Sequence, residues 1–102
     1  MAPLLDRALL AKRLRPCLAG ATRALVFGSV ARGDADEWSD LDLVVVAETT
    51  RTFFERHRDF GDLYEVWPRL DLLVYTPAEF DRMVEEGNPL LLRVLDEGKD
   101  VL

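Results

Sequence analysis

Three aspartates stand at the beginning of two apolar segments of the chain. Asp40 and Asp42 lie two residues apart, directly before the apolar run 43–47. Asp71 has the same setting inside the apolar segment 70–75. Residues two apart in a strand point to the same face of a sheet, so Asp40 and Asp42 share a face. If the two segments are neighbouring strands, all three carboxylates meet at one edge of the sheet.

Carboxylates that meet in this way must bind a cation, change their protonation or move apart. Two unit charges about 4 Å apart repel by roughly 4 kcal/mol at an effective dielectric constant near 20. The chain has one histidine, His57, and one cysteine, Cys17, so sites built on paired histidines or cysteines are excluded. Oxygen ligands alone are typical of Mg²⁺ or Mn²⁺, and two such ions can assist an in-line phosphoryl displacement. We therefore predict a hard-metal site for phosphoryl chemistry.

A possible phosphate site precedes these acids. Gly28-Ser29 follows an apolar run and opens a segment that can form one helical turn. Glycine lets the backbone approach a ligand closely, and Arg32, one turn later, could pair with a phosphate or with an acidic group of a partner. The alternatives are a plain strand-to-helix turn and acids held in surface ion pairs with the many arginines.

The elements that would position these residues alternate between helix and strand. Continuous apolar character after Asp42 predicts a central strand that is covered on both faces. The predicted helices cover 3–18, a short turn within 30–39, 50–67, 77–86 and 90–97, and the predicted strands cover 23–27, 40–47 and 70–75. This order predicts an α/β (α+β) fold, with a small mixed sheet of three or four strands flanked by helices.

Two helices carry further local signals. Phe53, Phe60 and Trp67 recur every seven residues and predict one buried helix face, although Gly61 could break that helix in two. Thr76 is typical of a helix N-cap, because proline follows it and glutamate stands three residues later.

Length and charge limit the function classes. The chain has 102 residues, which predicts a single domain over 1–102. Its net charge of -6 argues against direct DNA or RNA binding, which requires a basic surface. The apolar runs are far shorter than the roughly 20 residues of a membrane span, and Asp6 comes too early for a secretory signal. We therefore expect a cytoplasmic protein that does not bind membranes.

The spacing of the motifs resembles a known signature. Residues 27–33, Phe-Gly-Ser-Val-Ala-Arg-Gly, and residues 39–43, Ser-Asp-Leu-Asp-Leu, are similar to the DNA polymerase beta-type nucleotidyltransferase superfamily. Ten residues separate Gly28-Ser29 from Asp40, as in that signature. The Ala-Arg-Gly and Ser-Asp elements resemble its minimal nucleotidyltransferase (MNT) branch, and the resemblance implies the polymerase beta-type fold.

The resemblance also implies roles for individual residues. Asp40 and Asp42 would be metal ligands, and Asp71 would be a third catalytic acid that helps to bind metal and favours deprotonation of the attacking hydroxyl. The residues that would bind the nucleotide are Gly28, Ser29, Arg32 and Ser39.

The implied reaction is transfer of a nucleoside monophosphate to a hydroxyl group. The resemblance implies AMP from ATP, or the equivalent from another NTP, with two Mg²⁺ ions, for which Mn²⁺ could substitute. In this branch the acceptor is often a helical HEPN-type toxin, so the chain would be an antitoxin that could form an oligomer through its partner. The alternatives are an antibiotic-type nucleotidyltransferase that acts on a small molecule and an antitoxin that acts by binding alone. The short chain argues against the first alternative, since it leaves no second domain for a small acceptor.

Overall fold

A four-stranded mixed sheet forms the centre of the structure, a computed structural model that describes residues 7–36 and 38–102. The strands are β1 (Ala21–Phe27), β2 (Leu41–Ala47), β3 (Leu70–Tyr75) and β4 (Lys99–Asp100). The helices are α1 (Arg7–Leu14), α2 (Gly28–Arg32), α3 (Leu63–Val66), α4 (Pro77–Glu85) and α5 (Pro89–Glu97), and two 3-10 segments cover Arg15–Cys17 and Phe53–Phe60. The predicted mixed α/β fold class is confirmed.

The order of the strands brings the two acidic segments together. The sheet runs β3-β2-β1-β4, with β2 antiparallel to β1 and parallel to β3, and with β4 antiparallel to β1. Because β2 and β3 are parallel, their first residues lie at the same edge. Asp42 and Asp71 are register partners, and Phe27 at the end of β1 is paired with Asp42 on its other side.

Side chains of β2 alternate between two buried layers. On one face Leu43 and Val45 belong to a core cluster with side chains of α1 and α3. On the other face Val44 and Val46 belong to a cluster with side chains of α4 and α5. All four residues are almost fully buried, which confirms a central strand covered on both faces. None of the helices within 7–36 and 38–102 is both long and apolar enough to span a bilayer.

The prediction of one continuous helix over 50–67 is wrong, and the predicted break at Gly61 is confirmed. The segment forms the 3-10 stretch Phe53–Phe60 and, after Gly61, the short helix α3. Phe60 and Trp67 pack into the α1 side of the core, whereas Phe53 packs on the other side against Tyr75, with ring centroids 5.5 Å apart. The aromatic residues that recur every seven positions therefore do not form one helix face. They contact both faces of the sheet.

The other boundaries differ by a few residues. The first predicted helix ends at Leu14 and continues as a 3-10 turn at Pro16, where proline removes a backbone donor, and its predicted start at residues 3–6 lies outside the described residues. The short helical turn begins at Gly28, and β1 begins at Ala21. The two residues of β4 were not predicted, because so short a strand has no periodic pattern.

A buried arginine connects the 50–67 segment to α4. The predicted cap is confirmed, since the Thr76 hydroxyl accepts from the backbone N–H of Glu79 and the Glu79 carboxylate accepts from the backbone N–H of Thr76. The same carboxylate also binds Arg56 at both oxygens, at 2.6 and 3.1 Å. Arg56 is 7% exposed, and its hydrogen bonds lower the pKa of Glu79 to about 2.

Glu79→Ala is expected to destabilise the fold by about 2–3 kcal/mol at pH 7, because it leaves the Arg56 guanidinium buried without its counter-ion. This value is below that of a fully buried pair, since the Glu79 side chain is 43% exposed. The pKa of Glu79 is lower in the folded state, so its contribution is complete above about pH 4.5 and is lost as the pH falls toward about 2.

Urea unfolding at pH 7, 4.5 and 3 measures this effect. The matched control is Glu86→Ala, which removes an exposed pair with Arg82 and should change stability by no more than about 0.5 kcal/mol. Equal losses of unfolding free energy for Glu79→Ala and Glu86→Ala at pH 7 would refute the stabilising role of the Arg56–Glu79 pair.

Candidate active site

A cleft of about 390 Å³ opens where β1 ends and β2 begins. Six of the seven predicted site residues line it: Gly28, Ser29, Arg32, Ser39, Asp40 and Asp42. The seventh, Asp71, is the register partner of Asp42 on the neighbouring strand. The fold therefore gathers the whole predicted set at one edge of the sheet.

Asp42 and Asp71 form the centre of this edge. Partial burial raises the pKa of Asp42, and the charge and side-chain hydrogen bond of Asp71 raise it further. The charge of Asp40 acts in the same direction, while that of Arg32 opposes it. Two carboxyls that interact so directly are difficult to keep ionised together, and a cation between them would remove this penalty.

Asp40 faces a different partner. Its Oδ1 accepts a hydrogen bond from Nε of Arg69 at 3.0 Å, and both side chains are exposed. Over the described ranges, no three acids, histidines or cysteines are arranged to hold a metal ion. The structure thus brings two of the three predicted ligands together, and the third is paired with the arginine that precedes β3.

Gly28 allows the backbone to pass directly beside Asp42. Its φ is +73°, in the left-handed region that favours glycine, and a Cβ added there would collide with Oδ2 of Asp42. The close approach follows from the pairing of Phe27 with Asp42, because Gly28 comes next in the chain. A glycine at this position is therefore required by both conformation and space.

Two other predicted nucleotide ligands have partners within the protein. The Ser39 hydroxyl accepts from the backbone N–H of Asp36 at 3.0 Å and donates to the Asp36 carboxylate at 3.2 Å. Arg32 pairs with Asp34 at 3.1 Å and with Glu97 at 3.5 Å. Each would have to exchange such a contact in order to bind a phosphate through its side chain.

Two cleft residues were missed by the sequence analysis. Arg93 and Glu97 extend from α5 into the same cleft. Arg93 is the only charged residue in the apolar stretch 90–95, and this isolated charge is the one sequence signal that could have indicated it. Nothing in the local pattern indicated Glu97, because acidic residues are common near the end of the chain.

Comparisons with known proteins agree with this arrangement of the site. A family model described as "Nucleotidyltransferase domain" matches residues 10–81. One solved structure, of a protein assigned as a minimal nucleotidyltransferase, is 34% identical with a TM-score of 0.64, over 96% of this chain and 98% of that one. A search of curated proteins returns no significant match.

More distant structures share the fold. A chain from a toxin-antitoxin structure with AMP-PNP has a TM-score of 0.60 and 21% identity, over 95% of this chain and 73% of that one. A chain from a mutant of the MntA-HpeT toxin-antitoxin has a TM-score of 0.57 and 18% identity, over 95% and 72%. The family model and the 34% identical structure together show that the chain belongs to the nucleotidyltransferase domain family, within its minimal nucleotidyltransferase group.

Proposed function

We propose that this protein is a Mg²⁺-dependent nucleotidyltransferase that transfers AMP from ATP to a hydroxyl group of a partner protein. The observation that carries the proposal is the pairing of Asp42 with Asp71 on parallel strands, at the edge of a cleft that Gly28 opens. Family membership supports the reaction class. The nucleotide, the metal and the acceptor are the proposed details.

The acidic residues fit a divalent cation. Their donors are all oxygens, and the interaction between Asp42 and Asp71 would be relieved by positive charge. Asp40 would join them by exchanging Arg69 for the metal. We propose two Mg²⁺ ions, with Mn²⁺ as a substitute, held by these three aspartates. When bound, such ions neutralise charge that develops on the phosphoryl oxygens and the leaving group.

The remaining roles belong to the protein itself. Gly28 and Ser29 would hold the phosphates through their backbone, and Arg32 would leave Glu97 for a phosphate oxygen. Asp71 would accept the proton of the acceptor hydroxyl. The acceptor oxygen then bonds to the α-phosphorus, the bond from that phosphorus to the bridging oxygen breaks, and pyrophosphate leaves.

The acceptor is proposed to be a HEPN-type helical toxin. The cleft is open to solvent at Arg32 and Asp40, so a side chain of another protein can reach it. Trp38, in the loop beside the cleft, is 70% exposed and could contact the base or the partner. The shared fold with chains from toxin-antitoxin structures supports this choice, which would place the protein in the cytoplasm with its NTP substrate and partner.

The direct test combines the protein with Mg²⁺ and each NTP in turn, with and without the product of the adjacent reading frame, followed by intact mass measurement. We expect one or more AMP additions on the partner with ATP, and none with the Asp42→Asn variant. The control is Asp81→Asn, an exposed change on α4 outside the cleft, which should give the wild-type adduct. If no NTP gives an adduct and both variants still neutralise the partner, the protein acts by binding alone.

A further inference from the structure

Arg93 is a cation of the cleft without a partner among the residues that the structure describes. It lies on the exposed side of α5, between the buried residues Leu91 and Val94, and lines the cleft with Gly28 and Asp42. Among the described residues it has neither a hydrogen bond nor an ion pair. Its guanidinium therefore presents all of its donors to whatever enters the cleft.

The order of the strands and helices determines where Arg93 lies in the cleft. The sheet places Asp71 on β3, Asp42 next to it on β2, and Gly28 after the end of β1. Helix α5 contacts β1 and α2, the elements that hold Gly28 and Arg32 at the cleft. Asp42 and Asp71 thus lie on β2 and β3, whereas Arg93 and Glu97 reach the cleft from α5 on the β1 side.

The groups of a nucleoside triphosphate match this arrangement of carboxylates and arginine. Its α-phosphate must lie beside the catalytic acids, and its β- and γ-phosphates carry most of the negative charge away from that point. An arginine binds phosphate oxygens with two parallel hydrogen bonds, and it needs no proton transfer to do so. Because Arg93 has no counter-ion within 7–36 and 38–102, it would not have to give up a pair seen there, as Arg32 would with Glu97.

We infer that Arg93 binds the β- or γ-phosphate of the nucleotide and makes the site selective for a triphosphate over a monophosphate. The inference rests on the proposed function, since it names the substrate group that one residue of the same cleft recognises. Glu97, which lines the cleft one turn after Arg93, supplies a negative charge that disfavours a phosphate there. Neutralising Glu97 is therefore expected to strengthen binding of the same phosphates.

Calorimetric titration with ATP and with AMP, in Mg²⁺ and without an acceptor, tests this inference. Arg93→Ala should weaken ATP binding by about 10- to 100-fold, because a charge-assisted phosphate contact is lost, and should change AMP binding by less than about 2-fold. Arg93→Lys should restore part of the ATP affinity, and Glu97→Gln should increase it. The control is Arg58→Ala, which removes an exposed arginine from the 3-10 segment after β2.

The possible failures can be told apart. If the wild type binds ATP and transfers AMP, but Arg93→Ala binds ATP within 2-fold of it or loses ATP and AMP affinity equally, this inference is wrong and the proposed function remains. If the wild type binds no NTP at all, both are wrong. Arg93 is exposed, so thermal melting of Arg93→Ala should match the wild type and exclude misfolding as the cause.

Discussion

Asp42→Asn is expected to reduce nucleotide transfer by about 100- to 1,000-fold. The change keeps the size of the side chain but removes the negative charge at the point where Asp71 and the proposed metal meet. Losing one preorganised electrostatic contact to a charged transition state costs about 3–4 kcal/mol, which corresponds to this factor. Single-turnover rates with ATP and the partner protein measure the effect.

The same substitution should leave the fold at least as stable as the wild type. Asp42 and Asp71 repel one another when both are ionised, so the neutral amide removes an unfavourable contact at pH 7. Urea unfolding of Asp42→Asn should therefore give a free energy of unfolding equal to or above that of the wild type. Transfer at the wild-type rate by Asp42→Asn would contradict the catalytic role of Asp42. If the variant instead loses both stability and transfer rate, the role of Asp42 is structural rather than catalytic. Asp81→Asn should match the wild type in both measurements.

Gly28→Ala is expected to reduce transfer by about 100-fold, with a loss of stability of about 1–2 kcal/mol. The backbone conformation at φ +73° is unfavourable for alanine by roughly that amount. The added methyl group also takes the space of the Asp42 carboxylate, which must therefore leave its position. Misplacing a catalytic group by about 1 Å can cost about 100-fold in rate.

Gly20→Ala is a control that separates the cost of backbone strain in alanine from the displacement of the Asp42 carboxylate. Gly20 has a φ of +89°, but a Cβ there would have no atom within 4 Å. This control should lose a similar amount of stability and transfer AMP at the wild-type rate. In the double variant Gly28→Ala with Asp42→Asn, the two losses of rate should not add, because both act through the position of one carboxylate. Equal transfer rates for Gly28→Ala and Gly20→Ala would refute the role assigned to the close approach.

The pairing of Asp42 with Asp71 could be predicted from the sequence because it depends on strong local patterns. Two apolar segments identify β2 and β3, and a crossover between them favours parallel strands with their starts at one edge. Gly28 and the cap at Thr76 are local in the same sense, since a few neighbouring residues determine each conformation.

The contacts that could not be predicted depend on residues distant in the chain. Asp40 pairs with Arg69 because β2 and β3 are neighbours, and no spacing rule selects that arginine from the others. Arg93 enters the cleft only through the packing of α5 against β1. The 50–67 segment contacts both core layers of the sheet. Its apolar residues therefore have a spacing like that of a helix although most of the segment is not an α-helix.

Crystals grown with Mn²⁺ and a non-hydrolysable ATP analogue would show directly whether Asp40, Asp42 and Asp71 hold a metal-bound nucleotide. Anomalous scattering locates manganese without ambiguity. We expect a manganese peak bound by Asp42 and Asp71, with Asp40 turned from Arg69 toward the metal and the α-phosphate beside it. A nucleotide bound elsewhere, or a cleft in which Asp40 keeps Arg69 and no manganese lies at Asp42, would contradict this expectation.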